Sequence, residues 1–557
     1  MIRSICRFAA PALVAALAGH AAAAKEHAKG VVYKDLNSNG VRDAGEPGLP
    51  GVRVSNGVEF ATTDDSGRYE IAVTDDTIVF VVKPRGYQTP MDEHGVPRYY
   101  YIHKPDGSPD ADFVFKGVAP TGPLPESIDF PLTPVRDTGR FKIFVFGDTQ
   151  PYNQQQVDWL SHDVIEEIAL QQRQGAGLAF GISLGDLVGD DLDLFHPLND
   201  AIGELGVRVH SVYGNHDMNF MSPNDVHDDE TFERVYGPTD YVFQQGDVHF
   251  IVLDNVRWNG FDGLRRNGRP RTGNYNGHLH EHQLEFVANY LEEVPSEELI
   301  VICTHIPMHG DDPDHRQHTT PQLPELLEIL SGHPRTLSLS GHTHINQNFF
   351  FGSEMGFSPE QPGQFGEPVH HHLNLVTASG SWYRGEPDEY GIPHSTMRCG
   401  APNGYAFIEF DGPNYRVDWR AARRDKSFQM HVHTPEVIGS DGTDGEIVAN
   451  VFNGTALCSV DWKLAGGPWN QMRQDRRPDP FLQEQNAREE AQDMLDGFRR
   501  VNQAQNSSHI WVADLPSGLD GGVHTAVVRW TSIFGDVHES VRLFRVSADG
   551  SDVAAAD

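Results

Sequence analysis

The sequence predicts an α/β core carried between two all-β units. Three observations point there. Between about 140 and 350, apolar strand-like runs alternate with helical periodicities, which is the pattern of an α/β domain. Residues 25–136 hold only short alternating runs separated by turn signals, the pattern of a small β-sandwich. Beyond about 370 the strand–helix alternation is lost and alternating runs return. A chain of 557 residues is also too long for one hydrophobic core, and about three domains fit it.

The first 24 residues read as a signal peptide. Arg3 and Arg7 supply a positive start, Phe8 to Leu17 a short apolar run, and Ala21 to Ala24 small residues for cleavage. The run is too short to cross a bilayer comfortably, and no other stretch approaches that length. The expectation is an exported protein, periplasmic or secreted, with no membrane span after cleavage. Cys303, Cys399 and Cys458 would remain, so a disulfide scaffold is excluded. Cys303 lies in an apolar run and reads as core, while a Cys399–Cys458 bridge stays open at the level of sequence. The formal charge of −36 excludes general nucleic-acid binding through basicity and favours cations.

Within residues 25–136, strands are expected at Gly30–Tyr33, Val52–Val54, Phe60–Thr62, Tyr69–Val73 and Ile78–Val82. Between the first two lies a twelve-residue loop from Asp35 to Glu46. Asp35, Asn37, Asn39, Asp43 and Glu46 fall at positions 1, 3, 5, 9 and 12, Val41 offers its carbonyl at 7, and Gly40 sits at 6. That is the spacing of an EF-hand calcium loop, here without flanking helices. With the following Gly48-Leu-Pro-Gly-Val52 it resembles the B-type repeats of bacterial surface proteins. A structural calcium ion is expected there. Residues 118–136 are proline-rich and read as a semi-rigid linker.

In the core (137–369), strands are expected at Lys142–Phe146, Leu178–Leu184, Val207–Val212, Leu299–Cys303 and Thr336–Leu339. Tyr241–Phe243 and Val248–Leu253 read as a strand pair. Helices are expected at Gln154–Arg173, His280–Leu291 and Pro321–Leu330. Five of these strands run out into ionisable or amide residues: Asp148 and Gln150, Asp186 and Asp190, Asn215-His216-Asp217, His305, and His342 with His344. Open α/β sheets bind ligands at that edge. Oxygen and imidazole donors without a cysteine suit hard cations and disfavour a thiolate site.

These motifs, in this order, resemble the calcineurin-like metallophosphoesterase superfamily: Asp148-x-Gln150, Gly185-Asp186, Gly214-Asn-His-Asp217, His305 and Gly341-His-Thr-His344. The stretch Gly391-Ile-Pro393 and then Met397 to Tyr405 is similar to the start of a C-terminal domain in bacterial members. The resemblance implies an α+β four-layer fold, a β-sandwich flanked by helices, with a dinuclear centre at the strand C-termini. It implies a first metal held by Asp148, Gln150, Asp186 and His344. It implies a second held by Asp186, Asn215, His305 and His342, with Asp186 bridging. The ions would be divalent or trivalent (Mn, Fe, Zn or similar), and the reaction hydrolysis of phosphate mono- or diesters by a metal-bridged hydroxide. Gln150 departs from the histidine that many members carry.

His216 stays outside that ligand set and reads as the general acid for the leaving group, or a donor to the phosphoryl oxygen. Asp190 is the first candidate to fix its tautomer and Asp191 the second, while Asp217 is a candidate to orient a ligand. The alternative is a non-catalytic secreted or surface binding module on the same scaffold.

Most of the 29 histidines must do other work. His309 reads as a rim residue, and His370-His-His372 as the polar start of a strand running to Val376. His278, His280 and His282 read as solvated near a helix start. Trp382, Tyr383 and Arg384 either border the substrate or pack between domains. Residues 370–557 are expected to form a second β-sandwich, interrupted by a charged helical insertion at Pro480–Arg500.

Overall fold

The computed structural model describes residues 26–109, 113–310, 312–359, 361–366, 369–375, 377–439 and 445–547. The expected signal peptide lies outside them. No helix among the described residues is long and apolar enough to cross a membrane.

Two sheets form the centre. The strands Arg140–Phe146, Leu178–Ser183 and Val209–Ser211 pair in parallel, apolar on both faces as a doubly covered sheet requires. The second sheet runs in parallel through Val248–Val252, Leu299–Cys303, Thr336–Ser340 and His370–Asn374. Antiparallel strands Tyr241–Gln245 and Gln347–Phe351 close its edges. The sheets meet face to face through Phe141, Phe180, Phe243, Phe250 and Phe410, with ring centroids of the pairs that cross between them 5.2–6.4 Å apart. Each such pair adds roughly 0.5–1.5 kcal/mol beyond area burial.

Helices cover both outer faces. On one side Val157, Leu160, Val164, Ile165 and Ile168 pack with Phe144 and Phe146. These residues lie on one helical run, Gln154–Arg173, with a π-turn over Ser161–Ile165. On the other side lie Glu281–Leu291 and Leu323–Leu330, burying Phe286, Val287, Leu326 and Leu330. The layers are therefore helix, sheet, sheet, helix, and all five parallel strands that carry the motifs end at one edge.

The strand pairing carries the two central sheets past residue 370. His370–Asn374 belongs to the second central sheet. The hairpin Gly404–Asp411 and Asn414–Ala421 extends the first, with Gly404–Asp411 antiparallel to Arg140–Phe146. Alternation marked these runs as strands, but a hairpin looks the same whichever sheet receives it. The C-terminal sandwich itself starts at Met430, with a four-stranded and a five-stranded sheet around Trp462, Trp511 and Trp530. Cys399 and Cys458 are both free thiols, so the bridge left open by the sequence does not form.

The N-terminal unit is two four-stranded sheets. It docks on the helix Glu281–Leu291, where Phe60 stacks on Phe286 at 5.2 Å and the Arg53 guanidinium lies 3.9 Å from the Tyr290 ring. A second joint is ionic: buried Lys104 meets Glu230 at 2.8 Å and Glu233 at 2.7 Å.

Candidate metal centre

Three of the five motif strands break into their loops through a backbone that L-residues rarely adopt. Asp148, Gln150, Asp186, Asp190, His342 and His344 all have positive φ, from 36° to 75°. Such conformations cost of order 1–3 kcal/mol each and gather where a site requires them. Glycines let these loops touch. A Cβ on Gly214 would lie 2.0 Å from the Asp186 amide nitrogen, and one on Gly341 would lie 2.4 Å from Asp148 Oδ2. Gly214→Ala should therefore push two ligand loops apart. The expected result is a lower melting temperature together with loss of bound metal, read by calorimetry and elemental analysis; an unchanged metal content would contradict it.

The loops deliver a compact, buried cluster. Asp148, Gln150, Asp186, Asn215, His305 and His344 are at most 2% exposed, and His342 8%. Asp186 stands in the middle. Its Oδ1 lies 3.2 Å from His305 Nε2, and its Oδ2 lies 3.4 Å from Gln150 Nε2. On one side His305 Nε2 also meets Asn215 Oδ1 at 3.1 Å and His342 Nδ1 at 3.2 Å. On the other, His344 Nε2 approaches Asp148 Oδ1 at 3.6 Å. The ligand atoms of Asp186, His305 and His342 could share a single ion.

The far nitrogens are fixed by backbone carbonyls. His305 Nδ1 donates to Leu184 O at 2.8 Å, His342 Nε2 to Gln317 O at 2.8 Å, and His344 Nδ1 to Gly380 O. Second-partner hydrogen bonds of this kind set the tautomer of metal-binding imidazoles. Three inward nitrogens are thereby left to the cluster.

Electrostatics favours cations. Burial lifts the Asp148 carboxyl to about 7, and nearby Asp186 adds to the rise. Burial also works against the charge of Asp186, but His305 and His216 outweigh it and hold Asp186 below the usual carboxylate range. Burial likewise opposes protonation of His305, yet Asp186 and Asp148 draw it up to about 9. The cluster thus recruits positive charge wherever it can. No Lys or Arg is ion-paired with Asp148 or Asp186 among the described residues. Gln150 Oε1 is buried without a hydrogen-bond partner, a free acceptor inside the cluster. Burial keeps His344 neutral, near 3, as a ligand must be. These residues fit a pair of hard cations.

His216 lies beside the cluster. Its Nδ1 meets Asp190 Oδ1 at 2.5 Å, and its Nε2 faces Asp186 Oδ2 at 4.0 Å. Burial opposes its charge, but Asp186 and Asp190 raise it to about 9. Asp191 is turned away and caps a short helical turn through Asp193 N–H. Asp217 orients no ligand side chain. Its carboxylate accepts from the N–H groups of Leu187, Val188 and Gly214 at 2.8, 3.2 and 3.0 Å, and so ties two ligand loops together.

The remaining histidines sort themselves. His370, His371 and His372 form a buried strand, not a polar start. They bond Ser338, Thr336, Tyr415 and Asn348 at 2.7–2.9 Å, so hydroxyl and amide partners replace any metal. His309 packs on Phe349 and Phe351. Trp382 stacks on His344 at 3.9 Å and borders the centre, whereas Tyr383 is buried and donates to Thr149 O at 2.5 Å. Arg398, His318 and Tyr275 also reach the rim. No local pattern in the sequence marks these three.

A double-layered β core with buried carboxylate, amide and imidazole ligands at its strand ends defines a metallophosphoesterase fold and centre. Three family models cover the chain in order: the N-terminal domain of calcineurin-like phosphoesterases over residues 36–118, the calcineurin-like phosphoesterase core over 141–346, and the C-terminal domain over 372–538. The chain belongs to this family. Among solved structures it is similar to a dimetal phosphatase from Danio rerio, at 17% identity and a TM-score of 0.32, covering 50% of this chain and 96% of that one. It is also similar to the purple acid phosphatase PPD1 from yellow lupin (Lupinus luteus) seeds, at 9% identity and 0.34, covering 66% and 71%. No curated protein matches it.

Proposed function

We propose that the protein is an exported phosphoesterase that hydrolyses phosphate mono- or diesters with two divalent or trivalent cations (Mn, Fe, Zn or similar). The observation that carries this is Asp186, whose two oxygens face the two halves of one buried ligand cluster. Asp148, Gln150, Asp186 and His344 would hold the first ion; Asp186, Asn215, His305 and His342 would hold the second. When bound, the cations supply an activated water and neutralise charge on the phosphoryl oxygens.

The chain's own residues do the rest. Asp190 fixes His216 through Nδ1 and leaves Nε2 toward the cluster. From there His216 donates a proton to the departing oxygen, or a hydrogen bond to the phosphoryl group. Asp217 and the three carbonyl-anchored imidazoles keep the ligands in place as charge shifts. The test is hydrolysis of an aryl phosphate by the full chain. Chelation should abolish it and a restored cation should recover it; chelator-insensitive turnover would reject the reading.

The N-terminal loop is read as a structural calcium site. Asp35 and Glu46 are 1% and 7% exposed, although both are charged loop residues. Glu46 accepts from Leu36 and Asp43 N–H at 2.8 and 2.9 Å, while Asn37 and Asn39 donate to Asp43 Oδ2. The loop is thus already bent around its oxygens. Calcium at a hundredfold excess over its dissociation constant should stabilise the fold by about 2.7 kcal/mol. That gain should vanish in Asp35→Asn with the catalytic metals left in place. An equal calcium response in both proteins would contradict it.

A further inference from the structure

Two arginines beside the metal centre lack acidic partners, in a chain with 79 Asp and Glu and 43 Lys and Arg residues. Arg398 donates through Nη2 to the Thr343 carbonyl, between His342 and His344. Its Nε is buried without a partner. Its guanidinium lies 5.3 Å from the Trp382 ring, which stacks on His344. Arg384 lies 6.0 Å from the same indole and donates to Asn502 Oδ1 at 3.0 Å. Among the described residues neither is ion-paired with a carboxylate. Their neighbours differ: Arg420 is closed by Asp418, and Arg423 by Asp163 and Asp388.

A guanidinium taken out of water without a counter-charge is costly, and burial lowers the pKa of both side chains. The fold nevertheless invests structure in holding them there. Trp382 and Tyr383 both carry positive φ, 57° and 50°. The charged helix Pro480–Glu490 and the segment after it pin the Arg384 loop: Gly385 N–H donates to Arg499 O at 2.7 Å, and buried Glu489 accepts from Glu386 N–H and meets His394, both at 3.0 Å. The insertion that carried no function in the sequence is therefore a brace for this arginine. Guanidinium groups recognise carboxylate and phosphate with paired hydrogen bonds. Both arginines lie by the indole that stacks on His344, and Arg398 also touches the ligand loop through the Thr343 carbonyl, while the ligand cluster itself already provides for the charge of the scissile phosphoryl group.

We propose that Arg384 and Arg398 form an anion subsite beside the metal centre, selecting substrates whose leaving group bears a second anionic group, a carboxylate or a phosphate. This rests on the phosphoesterase reading of the centre. Trp382 is the positioning residue between the subsite and His344.

The test uses the full, metal-loaded chain with phenyl phosphate, 3-carboxyphenyl phosphate and 1,3-phenylene bisphosphate. At least one anionic substrate should exceed phenyl phosphate in kcat/KM by about 30-fold or more, the lower end for a partly desolvated ion pair. Whichever gains more identifies the anion. Arg384→Gln and Arg398→Gln should each collapse that ratio, and Arg398→Lys should keep part of it; metal content and melting temperature report on folding. Chelator-sensitive turnover of phenyl phosphate with no preference for an anionic leaving group would overturn the subsite and leave the phosphoesterase reading intact. So would an equal fall on all three substrates in both variants. Turnover of none of them would defeat both.

Discussion

Asp186→Asn is expected to empty the metal centre. Asp186 reaches both groups of ligands, through Oδ1 to His305 and Oδ2 to Gln150. The amide preserves the shape, and its oxygen can still accept from His216 N–H, which Asp186 Oδ1 does at 2.8 Å. What it removes is the anionic charge and one acceptor. Bound metal should fall from two equivalents to below one, with activity down by about 10³-fold, the upper scale for losing one charge-stabilising group. Far-UV circular dichroism should be unchanged. Full metal occupancy in the variant would show that Asp186 does not bridge.

His216→Ala should do the opposite: keep the metals and lose turnover. The His216 imidazole approaches Asp186 only at 4.0 Å and is 20% exposed, and its backbone N–H bond to Asp186 survives in alanine, so removal of the side chain leaves the ligand shell intact. The loss should be about 10²–10⁴-fold, the usual contribution of a positioned acid–base group. It should grow as the leaving group becomes more basic, because a better leaving group needs less help from a proton. Asp190→Asn acts through His216 and should cost less, about 10–100-fold, as second-partner changes do. Near-normal turnover of the poorest leaving groups by His216→Ala would remove it from the mechanism.

The two variants separate along a line that was visible in the sequence. Asn215 and His216 are chain neighbours in the turn that follows the strand Val209–Ser211, and their side chains go to different places: Asn215 Oδ1 meets His305 and His216 Nδ1 meets Asp190. Strand ends were legible because a run of apolar residues stopped at a polar ligand five times over, four of them through a glycine and one through Thr304. The pairing of His216 with Asp190 was also legible, since the two lie on neighbouring loops of a parallel sheet. Asp217, a candidate to orient a ligand, acts on the backbone: it accepts from N–H groups of the loops that carry Asp186 and Asn215. His370–His372 were misread as a polar strand start because hydropathy sees the imidazole and not the Ser338, Tyr415 and Asn348 that satisfy it.

What stayed hidden depends on contacts between distant parts of the chain. Nothing local tells that Tyr405 and Tyr415 lie in strands of the same sheet as Phe144, because pairing partners are chosen by the whole fold. Arg398 lies in a turn without periodicity, more than fifty positions beyond the histidines it borders. Its meaning comes from the carboxylate it lacks, and a sequence does not display a missing neighbour.

The central claim is that one carboxylate joins two cations. Its most direct measurement is electron paramagnetic resonance of the full chain reconstituted with two equivalents of Mn²⁺. A bridged pair predicts an exchange-coupled spectrum that disappears in Asp186→Asn. Two uncoupled Mn²⁺ signals, or saturation at one equivalent, would contradict it.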